Sequence, residues 1–164
     1  MVEMKKAFFV FGPEGSGTYM LAEAFVSAGC FYDDKLREYV PNNFRKKVVA
    51  RLSLPCAGEF INPKALYLPY MHAGYDCKFF VILRDANASR QSILGREPER
   101  GFKRVWDEYG QALLHIANIL PISALVSYEA FVSNAGYRKW LFDSFCGLDE
   151  PKGQWFNGNK KYYE

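Results

Sequence analysis

The stretch from Lys5 to Gly29, KKAFFVFGPEGSGTYMLAEAFVSAG, constrains the fold more than any other part of the chain. Its apolar run Ala7–Phe11 is short and rich in Phe and Val, which predicts a strand buried on both faces. Gly12-Pro13-Glu14-Gly15-Ser16-Gly17-Thr18 follows, and then Leu21, Phe25 and Ala28 recur at helical spacing, with Gly29 at a C-terminal cap position. Strand, glycine-rich turn and helix form the framework of a phosphate-binding loop. Successive backbone N–H groups and the positive end of a helix dipole meet there, and glycine lets the main chain approach an anion closely. The competing reading is a bare tight turn between strand and helix.

The loop departs from the nucleotide-triphosphate pattern. Gly12 and Gly17 have the required spacing, but Thr18 and Tyr19 stand where Lys and Ser/Thr would bind the β/γ-phosphates and Mg²⁺. An ordinary kinase or ATPase reading therefore loses two of its functional groups.

Two further strands are expected at Lys47–Leu54, stopped by Pro55, and at Lys78–Leu83, followed by Arg84-Asp85. In an open parallel sheet ligands bind beyond the carboxyl ends of the strands, so Arg51, Ser53 and Arg84 are well placed. Arg84 suits bidentate contact with a phosphate, and Asn87 or Ser89 is expected to cap the helix carrying Ser92. A helix is expected over Arg104–Leu120, ended by Pro121, then a strand at Ile122–Val126 and a helix at about Asn134–Phe145, with Gly147 as its cap. Residues 56–76 contain Pro63, Pro69, Gly58 and Gly74 and read mostly as loop, which places His72 on a loop. Strands alternating with helices predict an α/β fold: three layers around a parallel sheet of four to five strands, P-loop NTPase-like, in a single domain over residues 1–164.

The excess of 21 basic over 18 acidic residues, a net charge of +3, is too small to argue for nucleic acid. No apolar run approaches the ~18 residues a membrane helix needs, and four scattered cysteines without paired spacing suit a reducing compartment. The expectation is a cytoplasmic protein with no membrane partner.

Phe9–Thr18 resembles the 5′-phosphosulfate loop of sulfotransferases that use 3′-phosphoadenosine 5′-phosphosulfate (PAPS). Phe80-Val81-Ile82-Leu83-Arg84-Asp85, with Ser92 eight positions after Arg84, resembles their 3′-phosphate site. Tyr128-Glu129, the run Phe142–Leu148 and the tail around Lys152-Gly153 are similar to later segments of that family. The resemblance implies binding of PAPS through Gly12, Gly15, Ser16, Gly17, Thr18, Tyr19, Arg84, Ser92 and Lys152, without a metal. It implies transfer of a sulfuryl group to a hydroxyl or amine of a small molecule or glycan, with adenosine 3′,5′-bisphosphate (PAP) as product.

Two departures bear on activity. The family's basic residue before Ser-Gly-Thr is Gly15 here, and Ser53 stands where cytosolic members carry a catalytic His. Arg51 is a candidate to replace the missing charge, and Glu14, Glu59 and His72 are candidate bases. Two alternatives stay open. One is a catalytically degenerate PAPS- or nucleotide-binding module. The other is a diverged P-loop nucleotide or nucleoside kinase, for which Asp85 is the plausible metal ligand.

Overall fold

The computed structural model describes residues 4–33, 45–118 and 122–162. Five parallel strands form one sheet: β1 (Lys6–Pro13), β2 (Phe31–Tyr32), β3 (Lys47–Leu54), β4 (Asp76–Leu83) and β5 (Ala124–Ser127), in the order β2-β3-β1-β4-β5. The first strand lies in the middle, paired with β3 on one side and β4 on the other. Covered on both faces, it needs apolar residues at every position rather than alternation, and Phe8, Phe9, Val10 and Phe11 are all buried.

Those alternating side chains feed two cores. Phe8 and Val10 join Phe80 and Ile82 of β4 under α1 (Thr18–Ser27), with Phe131, Leu141 and Phe142 from the carboxy-terminal helices. Phe9 and Phe11 join Phe79 and Val81 on the other face, under α2 (Pro63–His72) and α4 (Phe102–Ala117). The fold is therefore α/β with helices on both faces of a parallel sheet. No helix among the described residues is long and apolar enough to cross a membrane.

The stretch expected to be loop holds a ten-residue helix, α2. Pro63 sits in its first turn, where the missing N–H costs nothing, and the side chain of Asn62 caps it by accepting from the Lys64 N–H at 3.0 Å. Pro69 lies inside the helix and deprives it of a bond. Leu66, Tyr67 and Tyr70 nonetheless hold the turns together by packing on the sheet, where Tyr67 and Tyr70 meet Phe9 edge-on. Residues 56–59 form a tight turn, with Cys56 and Glu59 exchanging backbone bonds and Ala57 and Gly58 both at positive φ.

α3 (Ala86–Leu94) is capped by Asp85, whose Oδ1 accepts from the Ala88 N–H at 2.8 Å, rather than by Asn87 or Ser89. A short 3-10 turn (Pro98–Arg100) connects it to α4. The end expected for α4, at Leu120-Pro121, lies outside the described residues. The expected last helix divides into α5 (Tyr128–Ser133) and α6 (Ala135–Lys139), the latter continuing as a π-helical turn, Trp140–Cys146, to Gly147 at φ +62°. Lys6 and Lys78 donate to the Cys146 and Phe145 carbonyls at that helix end, supplying both partners and favourable charge.

Candidate functional site

Each of the three central strands ends in a residue that cannot be part of a plain core. β1 runs into Gly12-Pro13, β3 presents Arg51 and Ser53 on the α1 face, and β4 delivers Arg84 as its first residue beyond the sheet. Because all strands point the same way, these ends lie together, and they border a cavity of about 530 Å³. Its wall includes Glu14, Gly15, Gly17, Thr18, Tyr19, Arg51, Ser53, Arg84, Ser92, Arg96 and Tyr128.

The loop is fixed from below. The Glu14 N–H donates to the Leu54 carbonyl at 2.9 Å and the Ser16 N–H to the Pro13 carbonyl at 3.1 Å. Gly15 and Gly17 adopt φ of +77° and +101°, a region closed to most L side chains. Neither position has room for a Cβ: at Gly15 it would meet the Ser89 carbonyl oxygen at 2.7 Å, and at Gly17 the Tyr128 ring at 2.8 Å. The chain turns through Gly17 into α1, which leaves the first-turn amides of Thr18, Tyr19 and Met20 without intrahelical acceptors. No acidic side chain stands in that first turn to take them. Thr18 Oγ1 shares a hydrogen bond of 2.5 Å with Ser53 Oγ. Ser16 is fully buried beneath the loop, its hydroxyl without a partner among the described residues.

Three arginines border this cavity. Arg51 is held by its Nε donating to the Tyr32 hydroxyl at 2.9 Å, with its guanidinium 5.3 Å from the Tyr19 ring centre. Arg84 lies between the rings of Tyr128 (4.6 Å) and Tyr162 (5.6 Å). Its Nε donates to Asn159 Oδ1 at 2.5 Å and one Nη to the Gly15 carbonyl at 3.1 Å. Among the described residues two of its five N–H groups are thus used, and three remain for a ligand. Arg96, unremarked in the sequence, follows α3 and reaches back to the cavity, its Nε donating to the Ser92 carbonyl at 3.1 Å.

Among the candidate bases only Glu14 lines the cavity. Its carboxylate is engaged by Arg100 at 2.7 Å and, less closely, by Arg96 at 3.6 Å. Arg100 in turn bonds Glu97 at 3.1 Å and Glu108 at 2.5 Å. His72 is elsewhere. It is the last residue of α2, and a crossover helix carries the chain from the carboxyl edge of one parallel strand back to the amino edge of the next. His72 is therefore exposed four residues before Asp76, which opens β4 opposite Lys6, at the far end of the sheet from the loop. Glu59 is exposed in the 56–59 turn, outside the cavity. Lys152 is exposed on the tail and does not line the cavity either.

The tail reaches Arg84 later than its Lys-Gly step suggests. Asn159, buried to 5% exposure, accepts from Arg84 and donates through Nδ2 to Glu129 Oε1 at 2.7 Å. The Gly158 N–H donates to the Tyr128 hydroxyl at 3.1 Å. Glu129 Oε1 also accepts from the Asp85 N–H at 2.9 Å, so strand ends and tail share one carboxylate. Burial pushes the Glu129 carboxyl up, but these bonds, with one from Ser127, hold it below the ordinary glutamate range. No group of three or more His, Cys, Asp or Glu side chains suited to a metal ion occurs among the described residues.

Compared with known proteins, the chain matches no family model and no curated protein sequence.

Proposed function

We propose that this chain is a PAPS-dependent sulfotransferase of P-loop-like fold, acting on a hydroxyl or amine of a small molecule or glycan. The observation that carries the reading is one cavity in which a glycine loop, the open amides of α1, Arg51, Arg84 and Ser92 converge at the carboxyl ends of β1, β3 and β4. Helix-end amides and arginines are the donors that a phosphate or sulfate group takes. The buried Ser16 hydroxyl and the close backbone approach at Gly15 and Gly17 suit a loop that wraps an anion more than a plain turn does.

Bound in that cavity, the donor supplies an activated sulfuryl group, and transfer breaks the sulfur–oxygen bond to the 5′-phosphate. The chain's own residues position and neutralise. The amides of Gly17 to Met20 face the 5′ group. Arg51, fixed by Tyr32 and Tyr19, is the cation available to the oxygen on which charge grows as that bond breaks, the service a loop lysine would otherwise give. Glu14 is the carboxylate at the cavity able to accept the proton of the attacking hydroxyl. Arg84 and Ser92 fit the 3′-phosphate. A reducing, cytoplasmic setting suits the four free cysteines.

One observation favours a binding module without turnover. The Glu14 carboxylate is engaged by Arg96 and Arg100 and the Ser53 hydroxyl by Thr18, so an acceptor hydroxyl would have to displace one of these contacts to reach either. A diverged kinase has less support, since the carboxylate of Asp85 caps α3.

Calorimetric titration with PAP, AMP and ATP-Mg²⁺ in one buffer tests the reading. Micromolar binding of PAP with much weaker AMP supports it, and incubation with PAPS and acceptor hydroxyls then separates enzyme from binding module by release of PAP. Preference for ATP-Mg²⁺, or no binding at all, refutes it.

A further inference from the structure

A second cavity, of about 620 Å³, shares no wall residue with the first. Its volume is within the ~300–1,000 Å³ that takes a small organic ligand. It opens between the amino-terminal half of α4 and Phe60, which directly follows the turn at 56–59. The two cavities adjoin at one ion pair, since Glu14 borders the first and its partner Arg100 the second.

Two aromatic rings border the second cavity, each with a neighbour that fixes it. Phe60 stacks on His115 of α4, with 5.0 Å between ring centres and 15° between planes. Phe102, at 59% exposure, has the guanidinium of buried Arg90 4.8 Å from its ring centre. Rigid rings of this kind supply contact area at low entropic cost.

The polar groups around them fall into two sets. Arg100 is engaged by Glu14, Glu97 and Glu108, and Arg104 by Glu108. Lys103, Asp107 and Gln111 also line the cavity, and they have no hydrogen bond or ion pair among the described residues. They stand four residues apart on α4, a row of about 12 Å along the helix axis. The ammonium and the carboxylate cancel in charge. What is left on offer is a donor, an acceptor and an amide that does both.

That set discriminates among ligands. An anion entering here meets Asp107 and Glu108, and a cation meets Lys103 and Arg104. A neutral molecule carrying several hydroxyls, each both donor and acceptor, is repelled by neither and matches the row. We propose that this groove is a binding site for an uncharged mono- or disaccharide. Phe60 and Phe102 pack against the C–H faces of its rings, and Lys103, Asp107 and Gln111 hold its hydroxyls. The site does not depend on the nucleotide reading.

The test follows backbone amide signals by NMR while cellobiose, lactose or N,N′-diacetylchitobiose is added at millimolar concentration, with glucuronic acid and phenol as charged and aromatic probes. At least one of the three disaccharides should give saturable shifts at Phe60 and across residues 101–111, leaving Gly15–Tyr19 unmoved. Asp107→Ala and Phe102→Ala should each weaken that binding by about five- to tenfold, the size expected for one charged bond or one lost apolar contact, and the exposed control Lys64→Ala should match wild type. If Phe102→Ala melts early because Arg90 loses its cover, Asp107→Ala carries the comparison, its side chain being exposed and unbonded. The proposal is overturned if none of the three disaccharides shifts the groove, if glucuronic acid or phenol binds there more tightly, or if Asp107→Ala binds as wild type does.

Discussion

Replacing Gly17 by alanine separates backbone strain from steric contact, because the fold supplies its own control. Gly17 and Gly29 flank the same helix, at φ of +101° and +93°. A Cβ at Gly29 meets nothing within 4 Å, whereas one at Gly17 meets the Tyr128 ring at 2.8 Å and 3.3 Å. Gly29→Ala therefore carries only the cost of a side chain at positive φ, about 1–2 kcal/mol. Gly17→Ala adds an overpacking cost of about 1–3 kcal/mol, because Tyr128 cannot simply swing aside. Its hydroxyl bonds the Gly158 N–H and the Phe156 carbonyl, and Arg84 lies over its ring. For a chain of this size the extra cost lowers the melting temperature by a further ~2–10 °C. The displaced ring should also loosen the tail at Gly158, giving faster amide exchange there in Gly17→Ala but not in Gly29→Ala. Urea denaturation and hydrogen exchange of both variants check this. Equal stability losses, or unchanged exchange at Gly158, would refute the reasoning. Gly17→Val is no clean probe of ligand blocking, since its side chain strikes Tyr128 whether or not a ligand is present.

Arg84→Ala should weaken PAP binding by about 2–4 kcal/mol and erase its preference over AMP, because a charge-assisted fork is lost. Arg84→Lys should recover only part, lacking the planar fork, and calorimetry reads both. Stability should fall in acid. Burial pushes the Glu108 carboxyl up, but bonds from Arg100 and Arg104 hold it below the ordinary range, as bonds do for Glu129. The unfolded chain then binds more protons over the window from about pH 4.3, the ordinary glutamate value, down to the folded values. Their contribution is present above that window and lost as pH falls through it. Urea midpoints from pH 7 to pH 3 should drop, less steeply for Glu108→Gln; a flat profile would count against the ion pairs. Burial raises the thiols of Cys30 and Cys146 to about 12 and that of Cys77 to about 11, so the thiolate is scarce at pH 8. Ellman's reagent should label Cys56 first, Cys77 (equally half-buried but with a raised thiol) more slowly, and buried Cys30 and Cys146 only as the protein unfolds.

The elements legible in the sequence were those whose signal is local. Ala7–Phe11, Lys47–Leu54 and Lys78–Leu83 are apolar runs long enough for a strand and too short for a helix, and each marks a strand of the sheet. Because parallel strands end together, naming Gly12–Thr18, Arg51 and Arg84 as strand-end residues also amounted to bringing them together. What escaped was decided by distant contacts. Pro63 and Pro69 mark breaks by propensity, but the aromatic cluster on the sheet outweighs them and makes α2. That in turn carries His72 to the wrong edge. The single helix expected to run to Phe145 instead turns π-helical at Trp140, which stays half exposed at 48%. The tail residue that meets Arg84 is Asn159, one polar side chain in a polar tail, and only its burial against the strand end marks it.

The middle position of β1 sets the order in which the molecule can be assembled. β1 leaves the ribosome before either of its partners, β3 and β4, whose residues emerge more than 30 and more than 60 positions later, so both of its backbone edges wait for them. Until Leu83 has emerged, a run of three phenylalanines and a valine remains without its flanking strands, a short β-forming segment of the kind that pairs with copies of itself. Pairings so far apart in sequence must also pay loop closure before they are rewarded, which slows the search. Lys5 and Lys6, directly before that run, place two positive charges beside it and discourage such self-pairing during synthesis.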